Sequence, residues 1–192
     1  MSNYDIAFAR LIKYEGGYVH DPDDRGGETY KGIARNFHPG WNGWKLIDAL
    51  KSAEDFPKNL DKVQILQDAV KSFYKSKFWD KVYGDELPAS IAEELFEQSV
   101  NMGLSSATKN LQIALNLLNR NGRLYADIVA DGVFGKITLA TFRISYAANG
   151  ERLIFNVLNI LQGAYYIELM LNNRVYEKYI GWFERVEIVR RG

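Results

Sequence analysis

The chain has 192 residues, 47% hydrophobic and 25% charged, which is enough length and apolar content for a folded core. Its 24 Lys and Arg balance its 24 Asp and Glu. This balance predicts no nucleic-acid partner, because phosphate-binding proteins carry a basic excess. With no cysteine and only two histidines, the sequence excludes disulfides and Cys-ligated zinc and predicts no metal or cofactor. The side chains that remain for catalysis or ligand binding are carboxylates, hydroxyls and aromatic rings.

The N-terminal region predicts one helix followed by a small lobe. Apolar residues over 6–12 recur at helical spacing, Ser2 or Asn3 can cap the start, and Gly16-Gly17 stops the helix. The stretch 17–31 is rich in Gly and Asp, which predicts an irregular lobe or a small hairpin.

The rest of the chain predicts helices, so the fold class is mainly α with a small irregular or β-hairpin lobe near the N-terminus. A loop over 37–43 precedes them, Pro88 starts one of them, and Ser105 or Ser106 caps another. A loop over 121–132 is predicted to hold a short extended piece at 127–129. The predicted helices span 44–50, 60–78, 88–100, 107–118, 137–146, 152–171 and 175–189.

No segment predicts a membrane span or a cleaved secretory signal. Charged residues interrupt residues 1–15, and the most apolar window, 153–171, contains Asn156, Gln162 and Glu168. That window therefore predicts a buried core helix, and the protein is not expected to be integral to a membrane. We expect a monomer made as a soluble cytoplasmic protein, which would act outside the cytoplasm only after export or release.

Glu15 is the most informative residue. On a continuous helix it would share the core-facing side of Phe8, Leu11 and Ile12, and it would lie at the negative end of the helix dipole. Both burial and the dipole disfavour the ionised carboxyl, so the position predicts a general acid. The alternative is a plain ion pair with Arg10, Arg25 or Arg35.

A second carboxylate and a hydroxyl follow in the Gly-rich lobe, at Asp24 and Thr29. Together with Glu15 they suit glycoside hydrolysis, in which one group gives a proton and another stabilises the sugar cation or activates water. The alternative is that Asp21, Asp23 and Asp24 form turns or a weak calcium loop, although the spacing of a calcium loop is absent.

The chain resembles glycoside hydrolase family 108, the N-acetylmuramidases of phages and bacteria that are also described as secretion-activating proteins and resemble phage endolysins. The resemblance extends over nearly the whole sequence. It includes Glu-Gly-Gly-Tyr at 15–18, Asp21-Pro22, Gly26-Gly27, Thr29, Gly32-Ile33, Phe78-Trp79, Val-Asn-Met-Gly at 100–103, Asp-Gly-Val-Phe-Gly at 131–135 and the Tyr179, Trp182 and Arg185 pattern. Glu97 stands where Asp is expected, which leaves the role of this position open.

The resemblance implies a lysozyme-like helical catalytic region over 1–103 and a helical peptidoglycan-binding region over 104–192. It implies cleavage of the β-1,4 bond between N-acetylmuramic acid and N-acetylglucosamine in peptidoglycan strands, with Glu15 as the acid. Asp24 and Thr29 are the candidates for base, water positioner or stabiliser.

Four further residues are candidates for substrate binding. Tyr18 and Tyr30 flank the candidate site and could contact sugar rings, with local packing as the alternative. Trp41 lies in a Gly/Pro-rich loop, where a cleft wall and the edge of the core are both open interpretations, and Asn101 could bind an acetamido group or a backbone carbonyl. Two other functions also stay open: a non-catalytic peptidoglycan-binding or secretion-associated protein, and a lytic transglycosylase.

Overall fold

The computed structural model describes residues 1–22 and 24–190. The chain forms two compact units, one of residues 1–77 and one that starts at residue 78. The protein is 64% helical and has a small three-stranded sheet near the N-terminus, so the predicted mainly α class is confirmed. The division after Gly103 into a catalytic and a binding region stays a prediction.

The first helix, α1, spans Asn3–Leu11 and begins with a capping box. The Ser2 hydroxyl accepts a hydrogen bond from the Asp5 backbone N–H (3.2 Å), and the Asp5 carboxylate accepts one from the Ser2 N–H (2.8 Å). The helix ends four residues before Glu15, whose N–H donates to the carbonyl of Ile12 at 3.3 Å, as in a 3₁₀ turn. Glu15 therefore lies in a turn beyond the helix, and its predicted place on the last helical turn is wrong.

The predicted lobe is a three-stranded antiparallel sheet. Strands β1 (Tyr18–His20), β2 (Glu28–Tyr30) and β3 (Ile33–Ala34) are paired in that order. A two-residue turn joins β2 to β3, and both of its residues have positive φ, 44° at Lys31 and 75° at Gly32. Positive φ at both positions is the type I′ pattern, whose twist matches that of the flanking strands.

Two α-helices complete the first unit. Helix α2 spans Gly43–Leu50, and α3 spans Gln64–Tyr74 after a 3₁₀ helix at Lys58–Lys62. The predicted helix over 60–78 is interrupted because Val63 has extended dihedral angles, φ −89° and ψ 97°. A π-helical turn, Lys75–Trp79, follows α3. The buried face of α3 carries Leu66, Val70, Phe73 and Tyr74.

The second unit is built from four longer helices and three 3₁₀ segments. The helices are α4 (Ala89–Met102), α5 (Leu104–Leu118), α6 (Lys136–Asn149) and α7 (Glu151–Asn172), and the 3₁₀ segments are Asp80–Val82, Gly84–Glu86 and Arg174–Arg185. Helix α5 begins after Gly103 (φ 89°), so the predicted Ser105 or Ser106 cap is wrong. The last predicted helix is a 3₁₀ stretch kinked at Tyr179 and followed by extended residues, and residues 127–129 form no strand.

Helix α7 buries one face and exposes the other. Ile154, Leu158 and Gln162 are fully buried, whereas Ile160 and Ile167 are 57% and 50% exposed. The prediction of a buried core helix therefore holds for one face only. Among the described residues α7 is long and apolar enough to cross a membrane by length and composition, and 33% of its most apolar window is buried.

Glu94 on α4 is a buried carboxyl group in the second unit. It is 5% exposed and accepts a hydrogen bond of 2.7 Å from the Gln98 side chain one helical turn later. Burial raises its pKa to about 7, although the Gln98 hydrogen bond acts in the opposite direction. Glu94 therefore keeps its proton in the folded protein at pH values where an unfolded chain has lost it.

The free energy of unfolding is expected to fall as the pH rises from about 4.5 through 7, because in this window the unfolded state binds fewer protons at Glu94 than the folded state. The loss is on the order of 3 kcal/mol at about 1.4 kcal/mol per pKa unit. Urea unfolding at pH 5 and pH 8 measures it, and Glu94→Gln should flatten the difference while Glu184→Gln, at an exposed position, should not. An unchanged pH dependence in Glu94→Gln would contradict this assignment.

Candidate active site

The Glu15 carboxyl group lies against the β2–β3 turn. A Cβ atom at Gly32 would collide with Oε2 of Glu15 and with the hydroxyl oxygen of Tyr74, so both atoms lie on the open side of this glycine. Gly32 also has a φ of 75°, which favours glycine independently of space. Gly32 thus lets the β2–β3 turn bring backbone close to the half-buried Glu15 carboxyl group, whereas a Cβ atom at Gly16 or Gly17 would meet nothing within 4 Å.

Tyr74 is the neighbour of Glu15 that sequence analysis missed. Its hydroxyl donates a hydrogen bond of 2.8 Å to the carbonyl of Lys31 in the same turn. Burial raises its pKa well above the usual range, and the charges of Glu15 and Tyr4 act in the same direction. Tyr74 therefore stays a neutral hydroxyl beside Glu15. Helical spacing identifies Tyr74 as a core residue, and the need of a buried hydroxyl for a partner is the signal that could have pointed to the turn.

Asp24 and Thr29 come together at a second glycine. A Cβ atom at Gly26 would lie 3.7 Å from Oδ1 of Asp24 and 3.6 Å from Oγ1 of Thr29. Asp24 is exposed, and its Oδ1 accepts a hydrogen bond of 3.0 Å from the Gly26 N–H. This is the turn-forming role that sequence analysis gave as the alternative for Asp24. Thr29 is half-buried in the middle of β2 and pairs with Ala34 of β3.

The structure gives no support to a metal site in this lobe. Residues 1–22 and 24–190 contain no cluster of three or more His, Cys, Asp or Glu side chains that could hold a metal ion. Asp23, the third member of the suggested aspartate loop, lies outside the described residues.

Tyr30 is a core residue. It is 1% exposed, its hydroxyl donates to Asp61 (3.1 Å) and it accepts a hydrogen bond from the Gln67 side chain (2.9 Å). Burial raises its pKa to about 12. The expected sugar contact at this position is therefore corrected to the packing alternative, because the ring has no surface to offer a ligand.

Tyr18 is half-buried and belongs to a charged cluster that sequence analysis did not identify. Its hydroxyl donates to Glu28 of β2, a carboxylate that is 8% exposed and pairs with Arg35 (2.9 Å) and Lys51. Burial alone would raise the pKa of Glu28, but the hydrogen bonds from Lys51 and Tyr18 and the charge of Arg35 outweigh it and lower the pKa. Glu28 is thus held ionised, which makes it unsuitable as a proton donor, and Arg35 is engaged with it.

Trp41 and Asn101 lie in different units. Trp41 is half-buried, and its indole N–H donates to the carbonyl of Ala69 at 3.4 Å. Asn101 is exposed on α4, where its side-chain N–H₂ donates to the backbone carbonyl (3.0 Å) and the carboxylate (3.3 Å) of Glu97. Glu97 in turn pairs with Arg185 at 2.9 Å, so this departure from the expected Asp serves an ion pair within the second unit.

Comparison with known proteins places both halves of the chain in known families. The family model described as Glycosyl hydrolase 108 matches residues 8–103, which is half of the chain, and the model described as Predicted Peptidoglycan domain matches residues 106–187. The structure of Brucella abortus SagA has a TM-score of 0.62 and 27% sequence identity, and the match covers 95% of this chain and 88% of that chain. No curated protein matches significantly.

The matched residues 8–103 include Glu15, Asp24 and Thr29. They also include Gly32, which lies beside Glu15, and Gly26, which lies beside Asp24 and Thr29. The second match follows directly and extends to residue 187. The chain therefore belongs to glycosyl hydrolase family 108, and it is a lysozyme-type glycoside hydrolase that acts on peptidoglycan.

Proposed function

We propose that the protein is an N-acetylmuramidase that cleaves the β-1,4 bond between N-acetylmuramic acid and N-acetylglucosamine, with Glu15 as the general acid. The observation that carries this proposal is the position of the Glu15 carboxyl group, held at the Gly32 turn beside the neutral hydroxyl of Tyr74. The Glu15 side chain is half-buried, so its carboxyl group is partly shielded from solvent beside the Tyr74 hydroxyl.

In the proposed reaction the proton of Glu15 passes to the glycosidic oxygen as the bond from this oxygen to the anomeric carbon breaks. The sugar left behind is an oxocarbenium-like cation, and water attacks its anomeric carbon. Asp24 accepts the proton of that water, and the Thr29 hydroxyl, which shares the Gly26 neighbourhood with Asp24, orients it. Because Asp24 also caps its own turn, its carboxylate is fixed before substrate arrives.

Glu28 serves a different purpose from Glu15, although both are carboxyl groups of the same lobe. Its pKa is lowered because the hydrogen bonds from Lys51 and Tyr18 and the charge of Arg35 outweigh the effect of burial, so its ionised form is favoured. The cluster fixes β2, and with it Thr29, without contributing a proton. Their different surroundings thus favour a structural role for Glu28 and a catalytic role for Glu15.

Digestion of purified sacculi tests the function. The expected products are soluble fragments that end in reducing N-acetylmuramic acid, which mass spectrometry and reducing-end labelling detect. Products with 1,6-anhydro ends would show a lytic transglycosylase instead, since that mechanism uses a hydroxyl of the substrate in place of water. Binding to sacculi without any released fragment would identify a non-catalytic wall-binding protein and would contradict the proposal.

A further inference from the structure

An open cavity of about 740 Å³ lies on the first unit, between the loop over residues 37–42 and one face of α3. Its volume is within the range of roughly 300–1,000 Å³ that is typical of small-ligand sites. Glu15, Asp24 and Thr29 are not among the residues that line it. The cavity therefore shares none of its lining residues with the candidate catalytic residues.

The loop side of the cavity presents two aromatic rings. Phe37 is 66% exposed, so most of its ring is open to solvent at the cavity. The Trp41 ring is held in place, because it stands edge-on to Trp44 (5.2 Å between centroids) and a Cβ atom at Gly43 would overlap it. A fixed ring costs little conformational entropy when a ligand binds to it.

The α3 side of the cavity combines the polar residues Asp68, Ser72, Ser76 and Lys77 with the apolar residues Ile65, Ala69 and Phe73. Ser72 and Ser76 lie one helical turn apart and place two exposed hydroxyl groups along the groove. Asp68 stands toward one end and Lys77 toward the other. From residue 65 to residue 77 the wall extends over about 18 Å at the usual rise per residue.

This combination selects the chemistry of the ligand. One carboxylate and one ammonium group leave the wall without net charge, which suits neither a nucleic acid nor an anionic membrane surface. An amphipathic peptide helix needs a row of apolar anchors, whereas the α3 side offers one large exposed apolar side chain, Ile65, among hydroxyl and charged groups. Pyranose rings have apolar C–H faces that pack on aromatic rings and hydroxyl groups that bond to serine, carboxylate and ammonium side chains.

We propose that this cavity is an accessory saccharide-binding groove that holds N-acetylated amino-sugar strands at a position distinct from the Glu15 site. The choice of strand rests on the proposed function, whereas the saccharide class follows from the lining of the groove. Binding here keeps the enzyme on its insoluble substrate between cleavage events.

Titration of the ¹⁵N-labelled protein with N-acetylchitotetraose tests the groove by two-dimensional NMR. Saturable shifts are expected at the Trp41 indole N–H and at the amides of Ser72 and Ser76. Phe37→Ala removes one aromatic wall at an exposed position and is expected to weaken binding about five- to tenfold. Ile6→Ala, at a 42% exposed apolar position of α1, is the matched control and should bind as the wild type does.

Unshifted groove signals, or equal affinity in Phe37→Ala and wild type, would overturn the inference. The test also separates this inference from the proposed function. A protein that digests sacculi to reducing ends without groove shifts contradicts the groove alone. A protein that shows the groove shifts and releases no fragments supports the groove and contradicts the proposed hydrolysis.

Discussion

Glu15→Gln is expected to lower the rate of sacculus digestion at least about a hundredfold, the smallest contribution usual for a general acid. Glutamine has nearly the shape of the protonated glutamic acid, so it fits beside Gly32 and Tyr74. Its amide cannot release a proton to the glycosidic oxygen. Loss of turbidity in a suspension of purified cell walls measures the rate, and circular dichroism and the thermal midpoint confirm that the variant is folded.

Glu54→Gln is the matched control for this experiment. Glu54 is an exposed glutamate of the same unit, and Glu54→Gln makes the same side-chain substitution without touching the β2–β3 turn. We expect wild-type digestion from this variant. Wild-type digestion by Glu15→Gln would assign the acid to another residue and would remove the central element of the proposed mechanism.

Gly32→Ala is expected to have the second largest effect, on stability and activity together. An alanine at a φ of 75° costs about 1–2 kcal/mol for the left-handed backbone. The collision of its Cβ with Glu15 and Tyr74 adds about 1–3 kcal/mol, as overpacking does elsewhere. The carboxyl group must move to relieve this contact, and a displacement of about 1 Å can cost about a hundredfold in rate.

Gly122→Ala isolates the backbone part of that effect. Gly122 has a φ of 74°, almost the same as Gly32, but a Cβ atom there would meet nothing within 4 Å. Urea unfolding should therefore show the backbone cost in both variants and the additional collision in Gly32→Ala only, and wall digestion should fall only in Gly32→Ala. Equal stability and activity of the two variants would show that Gly32 has no special relation to Glu15.

The predictable part of the site is the part written in local spacing. The Gly- and Asp-rich stretch after Glu15 predicts a small hairpin lobe, and the structure has a three-stranded sheet there whose turn residue Gly32 lies beside the Glu15 carboxyl group. Tyr74 could not be identified in this way because its hydroxyl reaches a turn 43 residues earlier in the chain. Such a partner depends on the packing of α3 against the lobe, which residue spacing does not encode.

Glu28 is a second residue whose surroundings could not be predicted from local sequence. Its sequence neighbourhood does not single it out, yet three groups converge on it: Tyr18 of β1, Arg35, which follows β3, and Lys51 at the end of α2. Each of these contacts spans 7 to 23 residues. The end of α1 differs from its predicted position for a similar reason. The helix ends at Leu11, and Glu15 lies in a turn beside the β2–β3 hairpin. Fold class and helix order follow from the hydrophobic periodicity of the sequence, whereas helix ends and ion pairs depend on tertiary contacts.

The final segment of the second unit has a consequence for synthesis on the ribosome. Arg185 binds Glu97 of α4, the Glu187 N–H donates to Asn159 and the Val189 N–H donates to Asn156 of α7. Burial raises the pKa of Glu97, and Arg185 opposes that change. A nascent chain whose last emerged residue precedes Arg185 would leave the side-chain oxygens of Asn156 and Asn159 without these backbone donors. It would also leave the Glu97 carboxyl group without the Arg185 guanidinium. The second unit thus completes these contacts only after residue 189 has emerged, when the lobe that holds Glu15 has already left the exit tunnel.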